Sequence, residues 1–137
     1  MAAAPPCPAP DTAGTPVLGD VAAAVRAVGP LTDGGVERAA VLYLDPERRL
    51  LGRADFVGTA EMVAPSLRAV IAGALAHDAA ALILAHGHPS GDPTPSPADL
   101  AYTRALARVC AALEVDLLDH LILAGDRLTS LRGLGLL

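Results

Sequence analysis

Ala80-Ala-Leu-Ile-Leu-Ala-His86-Gly-His88-Pro-Ser-Gly-Asp-Pro-Thr-Pro-Ser96-Pro-Ala-Asp99 is the stretch that decides how this chain folds. Its first six residues are apolar and do not alternate, the pattern of a strand covered on both faces near the middle of a sheet. Strand side chains alternate with period two, so His86 and His88 at the strand's end share a face and suit a single metal ion. Asp99 lies eleven residues beyond His88, after a loop rich in turn formers, with ample chain to return as a third ligand. Two imidazoles and one carboxylate, with a fourth position left for water, make the donor set of a catalytic rather than a structural zinc.

Plainer readings stand beside this one. Two histidines where a buried strand leaves the core could cap loop amides. Ser96-Pro-Ala-Asp99 is a good helix start, with Ser at the N-cap, Pro at the first helical position and Asp reaching back from the third. The cap and the metal are compatible if Ser96 caps while Asp99 turns one oxygen toward the ion.

Upstream, residues 1–15 carry four prolines among Ala, Gly and Thr and read as a disordered tail, leaving 16–137 as one domain. Val17, Leu18, Val21, Val25 and Val28 recur at helical intervals up to Gly29-Pro30, which predicts an amphipathic helix over 17–28. Ala39–Leu44 and Arg49–Val57 read as a hairpin about the turn Asp45-Pro46-Glu47-Arg48. A helix is expected from Pro65 to Ala76, with Leu67, Val70, Ile71, Ala74 and Leu75 on its apolar face.

Downstream, a helix is expected from Ser96 to Leu113, with Leu106, Val109, Cys110 and Leu113 inward. Two further strands, Val115–Leu123 and Arg127–Leu131, flank Ala124-Gly125-Asp126. Asp119 and His120 are neighbours on a strand and face opposite ways, so they cannot both approach one metal. Either could support a ligand, or the two could be a structural polar pair. His77 at a helix end is explained by the helix dipole, and Cys110 by the core.

The 137 residues carry a formal charge of −5 and only Phe56, Tyr43 and Tyr102 as aromatics. An acidic chain so poor in stacking platforms lacks the footprint of direct nucleic-acid binding. Two cysteines, Cys7 and Cys110, imply no disulfide framework, which fits a reducing cytoplasm. The first ten residues lack a signal peptide's basic start, and no apolar run approaches the ~18 residues that span a bilayer.

His86-x-His88-Pro89, then Ser96 and Asp99, resembles the metal motif of the JAB/MPN (JAMM) metallopeptidases. The longer string through Ser90-Gly-Asp-Pro-Thr-Pro, together with Leu117-Leu-Asp-His-Leu-Ile-Leu123 and Ser130-Leu-Arg132, resembles the RadC-like branch in particular. The resemblance implies a three-layer α-β-α mixed sheet of cytidine-deaminase-like architecture, holding one zinc through His86, His88 and Asp99. It implies Glu37, in Glu-x-x-x-Val-Leu-Tyr-Leu-Asp45, as acid/base, with Glu61 in reserve, and Ser96 as the residue that bonds the water or a developing oxyanion.

The activity implied is zinc-dependent hydrolysis of a peptide or isopeptide bond in a peptide or protein substrate. The competing readings are a DNA-repair-associated factor, as the family's traditional name suggests, and a non-catalytic MPN-type scaffold. The family's helix-hairpin-helix region has no counterpart in this sequence, so its DNA association is not expected to carry over. A deaminase is disfavoured because no Pro-Cys-x-x-Cys half-site is present. Gly87 replaces the Asn common between the two histidines, and Ser66-Leu-Arg-Ala69 stands where His-Pro-Arg-Glu is usual.

Overall fold

The apolar run Ala81–Gly87 forms a fully buried strand, and the rest of the chain is layered on its two sides. A computed structural model describes residues 17–33, 35–58 and 64–137; the tail expected over 1–15, Cys7 and Glu61 lie outside the described residues. In chain order the elements are α1 (Val21–Val28), β1 (Thr32–Asp33), β2 (Val36–Leu44), β3 (Leu50–Val57), α2 (Leu67–Ala76), β4 (Ala81–Gly87), α3 (Pro97–Ala112), β5 (Asp116–Ala124) and β6 (Arg127–Ser130). The sheet runs β3-β2-β4-β5-β6, with the two-residue β1 pairing the start of β2. Only β4 and β5 are parallel, joined across α3, and the other pairs are antiparallel.

Alternation along β4 divides the core in two. Ala81, Ile83 and Ala85 pack with Ala24 and Val28 of α1, while Leu82 and Leu84 pack with Val70 and Ala74 of α2 and Leu106 and Cys110 of α3. β2 splits in the same way, with Leu42 and Leu44 toward α1 and Val41 and Tyr43 toward α2 and α3. The result is the three-layer α/β arrangement that the resemblance implied. By parity, Glu37 follows Val41 and Tyr43, and His86 follows Leu82 and Leu84, onto the α2/α3 face. Among the described residues no helix is long and apolar enough to cross a membrane.

Three sequence expectations change at helix ends. α1 begins at Val21, not Val17, because the Asp20 carboxylate accepts the Ala23 amide at 2.7 Å and so caps the helix there; Val17 instead bridges Arg49. Leu75 is 64 % exposed, since it lies one 100° step past Ala74 and off the stripe of Leu67, Val70 and Ala74. Leu113 is the C-cap of α3 and is exposed, and Val109 is half-buried; the buried stripe is Asp99, Thr103, Leu106 and Cys110. The strand β1 was not expected.

His77 closes α2, where its Nδ1 sits 2.9 Å from the Gly73 carbonyl and its ring stacks on Tyr43. That is a helix-end role away from the strand end where His86 lies.

Candidate metal centre

Register brings the site together at the C-terminal end of β4. Ala39 pairs His86 across the β2–β4 ladder, which sets Glu37, two residues earlier on the same face, beside the histidines. His88 remains tied to the sheet because its amide donates to the Leu123 carbonyl at 2.8 Å. Gly91, at φ +81°, lets the following loop fold back so that the Asp92 carbonyl lies 2.8 Å from His88 Nδ1. A carbonyl only accepts, so His88 carries its proton on Nδ1 and presents the Nε2 lone pair to the site.

Asp99 serves the helix cap and the site together. Ser96 Oγ accepts the Asp99 amide at 3.0 Å, and Asp99 Oδ2 accepts the Ser96 amide at 2.8 Å, closing a capping box. The same carboxylate lies 3.3 Å from His86 Nε2 through Oδ1 and 3.2 Å from His88 Nε2 through Oδ2. His86 Nε2 and His88 Nε2 are 2.8 Å apart, and Glu37 Oε1 is 4.0 Å from His86 Nε2.

Ligand atoms of Glu37, His86 and His88 all lie within 4.8 Å of one another, a grouping able to hold a metal ion. Donors around a tetrahedral zinc bound at 2.0–2.1 Å are separated by about 3.3 Å, so the spacings from Asp99 to the histidines also fit that ion's chemistry. Ser96 has a lone pair engaged in the cap, while its hydroxyl proton is free of that bond.

The two carboxyls are pushed in opposite directions. Burial raises Glu37 above its ordinary value, against the pull of His86 and His88. Burial would raise Asp99 as well, but with no metal bound, hydrogen bonds from a protonated His86 and from the Ser96 amide, with the field of that His86, hold it well below the usual carboxylate range; a cation on His86 would stand in the proton's place.

Of the pair left open by sequence, His120 faces the site and Asp119 faces away. His120 Nε2 is 2.6 Å from His86 Nδ1, and burial foremost, then the field of His86, depresses His120 to about 3, so it is neutral. Its other nitrogen is 2.5 Å from Thr103 Oγ1, a residue sequence reasoning did not single out. The available signal was spacing, since Thr103 lies four residues after Asp99 and therefore above it on the same helical face. Asp119 instead accepts the His120 amide at 2.8 Å, the Ser130 hydroxyl at 2.5 Å and the Arg132 amide at 3.1 Å, anchoring the C-terminal segment.

A cavity of about 160 Å³ opens beside these groups. Its walls are apolar, from Ala39, Pro65, Leu84, Ala98 and Tyr102, and His86 and Asp99 lie at its polar edge. Tyr102 is held in place by donating to the Pro65 carbonyl at 2.7 Å.

Comparison with known proteins places this geometry in a family. Residues 19–136 match the model of the RadC-like JAB domain. The chain is 45 % identical over 108 residues to the UPF0758 protein Bpet3149 of Bordetella petrii, covering 78 % of this chain and 48 % of that protein. It is 44 % identical over 104 residues to a UPF0758 protein of Verminephrobacter eiseniae, covering 75 % and 44 %. With the UPF0758 protein YeeS of Escherichia coli K12 it shares 41 % over 110 residues, 78 % of this chain and 74 % of the other. The chain thus spans about half the length of the first two. With nearly all of the layered fold inside the matched segment, and the two histidines, Asp99 and Glu37 gathered within it, this chain belongs to the RadC-like JAB domain family.

Proposed function

We propose that the chain is a zinc-dependent peptidase or isopeptidase. The observation that carries this reading is the convergence of His86, His88 and Asp99 at one strand end with Glu37, a carboxyl of raised proton affinity, on the same face. His86 and His88 would hold the ion through Nε2 and Asp99 through its carboxylate. Zinc bound there supplies a water ionised near neutral pH and polarises a carbonyl.

The remaining work falls to the chain's own groups. Glu37, partly desolvated, accepts the proton from water and returns it to the leaving amine. Ser96 donates its hydroxyl proton to the water or to a developing oxyanion while its lone pair stays in the helix cap. The apolar cavity takes a side chain of the peptide or protein substrate and keeps bulk water from that side.

Two measurements test this reading. Elemental analysis should find one zinc per chain in the wild type and none in His88→Ala. Cleavage of a peptide library should vanish in Glu37→Gln while its zinc remains. Full cleavage by Glu37→Gln would move the acid/base role to Glu61 or another group. A wild type that takes up no supplied zinc would refute the enzyme reading and favour a non-catalytic scaffold.

A further inference from the structure

Behind His86 a file of polar groups runs back into α3. His86 Nδ1 meets His120 Nε2 at 2.6 Å, His120 Nδ1 meets Thr103 Oγ1 at 2.5 Å, and Thr103 Oγ1 lies 2.8 Å from the main-chain carbonyl of Asp99. Thr103 and His120 are each 2 % exposed, so the file is sealed from bulk solvent. Two proton orders can be written for it, and only one of them keeps the Thr103 proton on the Asp99 carbonyl.

In the first order Thr103 donates to the Asp99 carbonyl, which can only accept, and its oxygen accepts from His120 Nδ1. His120 Nε2 is then a bare acceptor for His86 Nδ1–H, and His86 turns an unprotonated Nε2 toward Glu37, His88 and Asp99. In the second order Thr103 donates to His120 Nδ1, and His120 Nε2–H donates to His86 Nδ1. His86 Nε2–H then points at His88 Nε2, 2.8 Å away. Both orders hold the same number of protons. Only the first leaves His86 able to bind a cation.

We propose that Thr103 and His120 are positioning residues that select the metal-binding tautomer of His86, with the Asp99 carbonyl as the fixed end of the relay. The proposal rests on the metal-site reading above. Asp99 then acts at both ends, offering its carboxylate to the ion and anchoring through its main chain the proton order that frees the neighbouring histidine. A metal-bound histidine commonly donates its second nitrogen to a carboxylate, a carbonyl or water. Here the acceptor is a second imidazole, which has to be set in turn.

The test uses zinc itself, in competition with a chromophoric chelator, on wild type, Thr103→Val and Thr103→Ser, with ring-nitrogen NMR of the metal-free wild type. Loss of the hydroxyl in Thr103→Val should weaken zinc binding about 10- to 100-fold, as removal of an outer-shell partner does. Thr103→Ser, which keeps the hydroxyl, should bind close to wild type. In the metal-free wild type the NMR should find His86 and His120 each protonated on Nδ1 before any zinc is added, a proton order that zinc has not imposed, that a merely structural role for Thr103 would not require, and that needs no variant to fold. If Thr103→Val binds zinc as tightly as wild type, or if His120 carries its proton on Nε2 in the metal-free chain, the relay is overturned while the metal site stands. A wild type that binds no zinc overturns both.

Discussion

Asp119 and His120 are consecutive, buried and polar, yet they serve opposite sides of the sheet. Asp119 turns toward the α1 side and spends its carboxylate on the His120 amide, Ser130 and the Arg132 amide, which fastens the chain after β6. His120 turns toward α3 and meets His86 and Thr103. The difference comes from strand parity alone. One face of this sheet end holds the fold together, and the other assembles the candidate chemistry. Damage should therefore separate into lost stability on one side and lost metal or activity on the other.

The sharpest separation should come from Asp99→Asn. The amide oxygen can still accept the Ser96 amide, so the metal-free variant should keep its capping box and a cooperative melt. Its zinc affinity should fall by more than the ~100-fold expected of an outer-shell change. Chelator competition with a thermal melt checks both, and a variant that kept its zinc would break the division. Asp119→Ala should do the reverse. It strands the buried amide of His120 and loosens Arg132, at a cost of about 3 kcal/mol and roughly 10 °C in melting temperature. One zinc per chain should remain, and its loss would mean that the two faces are not independent.

Further along the α3 stripe the same face becomes ordinary core, and Cys110 marks that change. Burial pushes its thiol from 9.0 up to about 11. Between those values the unfolded chain has released the proton and the folded chain has not, so stability falls as pH rises. The loss should approach about 2 kcal/mol by the upper end. Denaturant titrations from pH 8 to 11 should show that decline, and Cys110→Ala should remove its part, leaving the loss of the same sign that Tyr43 and Tyr102, also raised by burial, add above about pH 10. The smallest effect belongs to Tyr43→Phe. The hydroxyl donates to the Val70 carbonyl at 2.7 Å beneath α2, so its removal should cost about 1 kcal/mol. Zinc binding should not change, and a measurable loss would extend the metal site's support as far as α2.

Much of the fold and half of the site are legible in the residues themselves. The uninterrupted apolar run of Ala81–Ala85 marks a central strand, and the i, i+2 spacing puts His86 and His88 on one face. Ser96-Pro-Ala-Asp99 spells out a capping box that the helix adopts. These are short-range features, fixed by the periods of strand and helix. The misreadings of Val17, Leu75 and Leu113 also have local causes. A cap, a 100° step and a helix end each overruled an apolar residue's preference for the core.

The sequence by itself determined the family, the layered fold class, and the set of residues from His86 to Asp99 that turn and capping chemistry can place. Tertiary structure alone decided the partners that arrive from elsewhere in the chain. Glu37 reaches the histidines because Ala39 registers with His86, and His120 reaches them because Leu84 registers with it across β4 and β5. Thr103 completes the file because α3 lies on that face. Local periodicity says which way a side chain points along its own strand. The register between strands distant in sequence depends on how the whole core packs, and a slip of one residue would have sent Glu37 or His120 to the other face.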